Sequence, residues 1–327
     1  MVEVEEDVYL GEIIQREGKN TSNVISRINK GIGNMSQILI ILDNVTFGKY
    51  KIPTGLLMRR SIFISSLIFQ SEAWYDVKQT EVEDLEKLDR MMIRKIIQTP
   101  MSTPKVSLFL ETGELPVRSL IMLRRLNFFF YLINLNQTSM LYKFLKAQTL
   151  NPTQGDWINQ VNQDLKTLKL NHSWEHLKSI GKYQYRKMMK KKVEAFTFRE
   201  LMVKKEGIKK MKNVSYDSLK TQSYLESDEV SHENMKHVFQ YRTHMLEFNA
   251  NYRNNEGYIK ECPICKSHPD DQDSLEDCLK LKTQVADLKK LKTLYNEKFD
   301  FEIAKKLTIV LNLRKEMIDE TIVTNEE

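Results

Sequence analysis

Cys262-Pro263-Ile264-Cys265 sets two thiols three residues apart, the spacing at which one turn of backbone can offer two thiolates to a tetrahedral Zn²⁺. The third cysteine is Cys278, and an odd number crowded into so short a stretch does not make a disulfide scaffold. A reducing, intracellular compartment, nuclear or cytoplasmic, is the expectation. A second concentration of chemistry is basic. Between Lys182 and Lys212 stand twelve Lys or Arg against three Glu, a local net of +9 that exceeds the +6 of the whole chain of 327 residues. Lys187, Lys190, Lys191 and Lys192 are the candidates here for electrostatic contact with phosphates, which binds nucleic acid without reading its sequence. Tyr183, Tyr185, Phe196 and Phe198 are interleaved with them and are read as the buried face of the same helix, not as a platform for bases. Lys87, Arg90 and Arg94, at i, i+3 and i+7, form another basic stripe, either a phosphate-facing ridge or a solvated helix face. His172 and His176 are four residues apart but lack the Glu of a helical metal motif. Surface or core roles are expected for them and for His232, His237 and His244.

The elements that must position these residues are mostly helices. Only 11 Gly and 7 Pro occur, hydrophobic residues make up 41% and charged residues 29%, which suits a globular protein with a real core. Val8 to Ile14 reads as a short strand, with Gly18-Lys19-Asn20 as a turn. Thr21 or Ser22 then caps a helix to about Leu42, with Val24, Ile25, Ile28, Ile32, Met35, Ile38 and Leu42 along one side; Gly31 and Gly33 invite close packing on it. Pro53 opens a buried helix, roughly Thr54 to Tyr75. Thr80-Glu81-Val82-Glu83 has the form of a capping box, and Val82, Leu85, Leu88, Met92 and Ile96 make the apolar stripe of the helix behind it. Val117 to Leu135 is a further apolar helix carrying Arg118, Arg124 and Arg125. Asn151 to Asp156 looks like a linker, amphipathic helices follow to about Asn249, and Leu279 to Glu327 is helical again. The N-terminus, Met1 to Asp7, is acidic and lacks the layout of a signal peptide, and the most apolar run, Ser61 to Phe69, is too short to span a bilayer. No membrane association is expected.

Several segments, in order, resemble the region after the polymerase core in LINE-type (non-LTR) retrotransposon reverse transcriptases. Tyr9-Leu10-Gly11-Glu12-Ile13-Ile14 resembles the family's primer-grip strand, and Arg27 to Ile32 the helix after it. Phe69-Gln70-Ser71-Glu72-Ala73-Trp74-Tyr75, Leu85 to Ile96 (the thumb helix) and Leu110 to Arg118 are similar to later stretches. Cys262-Pro263-Ile264-Cys265 looks like the start of the terminal zinc knuckle; together the segments cover most of residues 8 to 281.

The resemblance implies a mainly α protein: a helical thumb-like bundle, a small β remnant of the palm at the N-terminus and a small Cys-rich knuckle near the C-terminus. Its divisions would fall at 1–52 for the end of the palm, 53–140 for the thumb, 141–250 for the connector with its basic segment, 251–281 for the knuckle and 282–327 for a helical tail. Tyr9, Leu10 and Gly11 would press on a primer end, or form an ordinary edge strand. In the knuckle Cys278 would take the last ligand place, but Ser274 stands where the family has its His. His268 offers a substitute in the pattern C-x2-C-x2-H-x9-C. Zinc with His268, zinc on three cysteines and water, and no metal all remain open at this point. The family's catalytic aspartates, which hold its Mg²⁺ ions, lie upstream of the primer grip. Here only Met1 to Asp7 precede that strand, and Asp270-Asp271 sits in a polar loop, so no catalytic residue is expected in this chain. The implied partner is RNA or an RNA–DNA duplex, held by a monomer, with any polymerase core supplied separately. The rival expectation is a structural or interaction protein, or a retroelement relic without function.

Overall fold

Helical periodicity over long stretches, with few breakers between them, dictates an architecture of packed helices, and the computed structural model bears this out. It describes residues 6–9, 12–15, 20–44, 48–75, 77–151, 153, 155–170, 173–248, 251 and 260–326, and these are mainly helical. The chain forms two compact units, each assembled from three segments. The first comprises 1–41, 57–92 and 115–200; the second comprises 42–56, 93–114 and 201–327.

Strands β1 (Glu6–Tyr9) and β2 (Glu12–Gln15) pair antiparallel, with Val8 opposite Ile13 and Tyr9 opposite Glu12. The single strand expected over Val8 to Ile14 is therefore a hairpin, whose two halves satisfy each other's backbone groups along one edge. Leu10, Gly11, Gly18 and Lys19 lie outside the described residues.

Helix α1 (Thr21–Asn44) starts one residue early, its first backbone bond running from Val24 N to Asn20 O. Val24, Met35, Ile38 and Leu42 are buried as expected, but Ile25 and Ile32 are exposed. Arg27 and Gly31 take their places on the buried face, because a Cβ at Gly31 would come within 2.9 Å of Leu88 Cδ2 and 3.0 Å of Leu67 Cδ1. Gly33 meets nothing within 4 Å among the described residues, so only one of the two glycines serves close packing. After it, α2 (Lys51–Met58), a π-helical turn (Arg59–Phe63) and α3 (Ile64–Leu67) form a continuous rod that stops well before Tyr75. The π turn holds Arg59, which donates through Nε and Nη2 to both oxygens of Asp89 at 2.7 Å, and both side chains are buried.

Helix α4 (Gln79–Ile97) is capped two residues earlier than expected. Glu81 accepts from the amide of Lys78 at 2.9 Å, so Lys78 and not Thr80 occupies the cap. Helix α5 (Lys105–Thr112) ends on Gly113, which adopts a φ of 68° and lies against the Lys220–Thr221 backbone; an added Cβ would meet Thr221 N at 2.2 Å. The first unit then builds its core from α6 (Val117–Ile133), α7 (Met140–Leu150), α8 (Trp157–Thr167), α9 (Trp174–Ser179) and the start of α10 (Lys182–Glu206). Leu126, Phe129, Ile133, Val161, Tyr185, Met189 and Val193 belong to that core, and Phe130 stacks on Tyr185 at 4.1 Å. Trp157 Nε1 donates to Glu72 O at 2.8 Å, tying α8 to the Ser71–Trp74 turn. Pro152 and Gln154, within the expected linker, lie outside the described residues.

In the second unit α11 (Ser223–Glu226) and α12 (His232–Arg242) precede the cysteine-bearing loop, α13 (Leu279–Gln284) and α14 (Phe301–Glu326) follow it, and α12 packs on α14. Asp270 is not a free loop carboxylate: it is buried and accepts from Arg314 of α14 at 2.6 Å. No helix of the described residues is long and apolar enough to cross a membrane.

Candidate metal centre and basic helix face

The loop holding Cys262 and Cys265 is pinned by its own backbone. Cys262 N donates to His268 O at 2.8 Å, Lys266 N donates to Cys262 O at 2.9 Å, and Lys266 takes a left-handed φ of 55° to close the turn. A bridge between Glu261 and Pro269 holds the two ends together. Cys278 is brought in from the short 3₁₀ turn Leu275–Asp277 that leads into α13.

Cys262, Cys265, His268 and Cys278 converge, with one ligand atom from each all lying within 4.8 Å of one another. Thiolates on a tetrahedral zinc at 2.3 Å would stand about 3.8 Å apart, so only a small contraction separates this group from a closed site. The imidazole is already prepared. His268 Nδ1 lies 2.8 Å from Pro269 O, which makes it the protonated nitrogen. Nε2 is then the lone-pair nitrogen, and it is buried with no hydrogen-bond partner among the described residues. A carbonyl holding the far nitrogen of a metal-binding histidine is the usual outer partner of such a ligand. The group could hold a metal ion.

The thiols differ in character. Burial pushes Cys262 upward and Cys278 up to about 11. Burial opposes ionisation at Cys265 too, but the hydroxyl and amide of Ser267 and the neighbouring thiols donate to its sulfur and bring it down to about 7. The Ser267 hydroxyl lies 3.1 Å from Cys265 Sγ. Sequence reading did not single out Ser267, although its place between the second Cys and the His was the available signal. Ser274, at the expected histidine position, donates its amide to Asp271 Oδ1 at 2.8 Å and shapes the loop instead.

The basic candidates separate into two groups. Lys187, Lys190, Lys191 and Lys192 are all exposed on α10, whose Tyr185, Met189 and Val193 are buried; within this set Lys190 has an ion-pair partner, Glu194, at 3.7 Å. Tyr183 departs from the expected buried rings and is 74% exposed, while Phe196 and Phe198 are half-buried. The α4 stripe is corrected. Arg90 is buried and donates to Glu83 at 2.6 Å and Glu86 at 3.3 Å. Arg94 is buried and donates to Thr103 O at 3.0 Å. Only Lys87 is exposed, and it pairs with Asp84 at 2.8 Å. Charge at helical spacing was read there as a phosphate-facing ridge or a solvated helix face, but each guanidinium has turned to an acceptor inside its own unit. Tyr9 lies in β1, and Leu10 and Gly11 are among the undescribed residues, as is His172. His176 is exposed, His237 Nδ1 lies 3.0 Å from Thr308 Oγ1, and His244 Nε2 lies 2.9 Å from Tyr295 Oη.

No family model, no curated protein and no solved structure matches this chain.

Proposed function

We propose that this chain is a nucleic-acid-binding protein derived from the C-terminal part of a LINE-type reverse transcriptase. It holds RNA or an RNA–DNA duplex. The observation that carries the reading is the outward display of Lys187, Lys190, Lys191 and Lys192 on a helix anchored by Tyr185, Met189 and Val193. A rigid rod with four solvent-facing ammonium groups suits a phosphate backbone, where each contact releases counterions. In the same reading zinc occupies Cys262, Cys265, His268 and Cys278 as a closed structural site that orders residues 260–278. The burial of Arg90 and Arg94 favours a structural role for these two side chains of α4, so neither has a part in binding.

The test is a salt titration of binding to an RNA–DNA primer–template. The wild type should bind with a steep salt dependence. Changing the four lysines to Gln should weaken binding and lower the slope of log K against log salt by roughly 3 to 4. Equal, shallow or negligible binding by both proteins would leave a structural or relic protein as the better reading.

A further inference from the structure

Within the first unit a cleft of about 930 Å³ lies among the turn after α3, the second half of α6 and the start of α10. Sites that enclose small organic ligands fall in this size range. Its lining has two chemistries. Phe128 and Tyr131 stack with ring centres 6.0 Å apart and planes inclined by 16°, and Tyr131 is 53% exposed. Arg124, Lys178, Lys182 and Arg186 supply positive charge, against a single acidic group, Glu72, which lies 3.8 Å from Arg124. Two further lining atoms, the side-chain oxygens of Gln70 and Asn127, are buried with no hydrogen-bond partner among the described residues. Buried acceptors left unpaired are uncommon, and a ligand carrying N–H donors would satisfy them.

An aromatic face, unpaired acceptors and a cationic flank together complement a nucleotide: a flat ring, its amino group and its phosphate. We infer that the cleft takes one unpaired nucleotide of a single strand. Its base lies against Tyr131, its donors reach Gln70 and Asn127, and its phosphate meets Lys182 and Arg186. A strand fits better than a free nucleotide, because Lys182, Arg186 and Lys190 follow at i, i+4 and i+8 and share one line along α10. That line leads from the cleft toward the exposed lysines, giving the phosphates on either side of the captured nucleotide somewhere to go. The inference rests on the nucleic-acid reading above and narrows it to a junction between duplex and single strand.

Fluorescence anisotropy at fixed salt, on the full chain, compares a blunt RNA–DNA duplex with the same duplex bearing a short single-stranded overhang. The proteins are wild type, Tyr131→Ala and Lys182→Gln/Arg186→Gln, with circular dichroism to verify folding. Wild type should prefer the overhang by at least about fivefold, the lower range of one base stacked on one ring. Both variants should lose that preference while still binding the blunt duplex. An overhang preference that is absent in wild type, or unchanged in Tyr131→Ala, overturns the cleft assignment and leaves the wider reading standing. Failure of wild type to bind either duplex defeats both. AMP alone binding as tightly as the overhang would assign the cleft to a free nucleotide and overturn the strand.

Discussion

Arg242 Nε donates to both carboxylate oxygens of Glu111, at 2.7 and 3.0 Å, with both side chains fully buried in the second unit. Tyr216 and Tyr224 donate to the same carboxylate, and Arg242 Nη1 also donates to Leu294 O at 2.6 Å and Asn296 O at 3.1 Å. One ion pair thus gathers α5, α11 and α12 with the segments around Tyr216 and Leu294–Asn296. Removing one member of such a pair strands a charge in the core. Arg242→Met should cost about 3 to 5 kcal/mol in urea unfolding, and the double variant Glu111→Leu/Arg242→Met should recover part of that loss. A double variant no more stable than Arg242→Met would show that the hydrogen bonds of Glu111 matter more than its charge.

Metal loading should be stoichiometric and local. Elemental analysis of the protein purified with zinc should find one ion per chain. Chelation should speed amide exchange at Cys262 and Asp270, whose amides close the loop on His268 O and Lys260 O. Changing His268 to Ala should weaken zinc at least about tenfold, since three protein ligands then replace four. Unchanged affinity would identify the site as three cysteines and water.

Two glycines on α1 should respond in opposite directions. Gly33→Ala adds a methyl to open space and should stabilise by about 0.5 to 1 kcal/mol through helix propensity. Gly31→Ala forces a methyl against Leu88 and Leu67, and overpacking of about 1 to 3 kcal/mol should exceed the propensity gain. Equilibrium denaturation of both variants decides; a stabilised Gly31→Ala would mean that the leucines move aside freely.

Acid should weaken the second unit before carboxylates titrate. Burial is the leading cause that lowers the pKa of His232, His237 and His244 below the ordinary imidazole value of 6.5. Their folded forms stay neutral while the unfolded chain takes up protons, so their contribution is present above 6.5 and is lost as pH falls below it. Thermal melts of the metal-free protein at pH 7.5 and 5.5 should show this loss, and replacing the three histidines with Gln should reduce it. Equal pH dependence in the variant would place the sensitivity elsewhere.

What the sequence determined by itself is local. Apolar periodicity placed α1, α4 and α6 within a few residues, because a buried stripe needs only neighbours one turn away. Cys262 and Cys265 announced half of a metal site for the same reason. Whether Cys278 and His268 join them depended on loop closure: the fold brings one ligand atom of each within 4.8 Å of the two thiols. Tertiary structure also decided which charges meet solvent. The α4 and α10 stripes look alike in sequence, yet Arg90 and Arg94 find acceptors and are buried while Lys187 and Lys191 remain exposed. Glu111 had no visible partner in the sequence, since Arg242 lies 131 residues away. Helical periodicity can be read from neighbours along the chain, whereas burial and pairing of a charge are set by groups that only folding brings near.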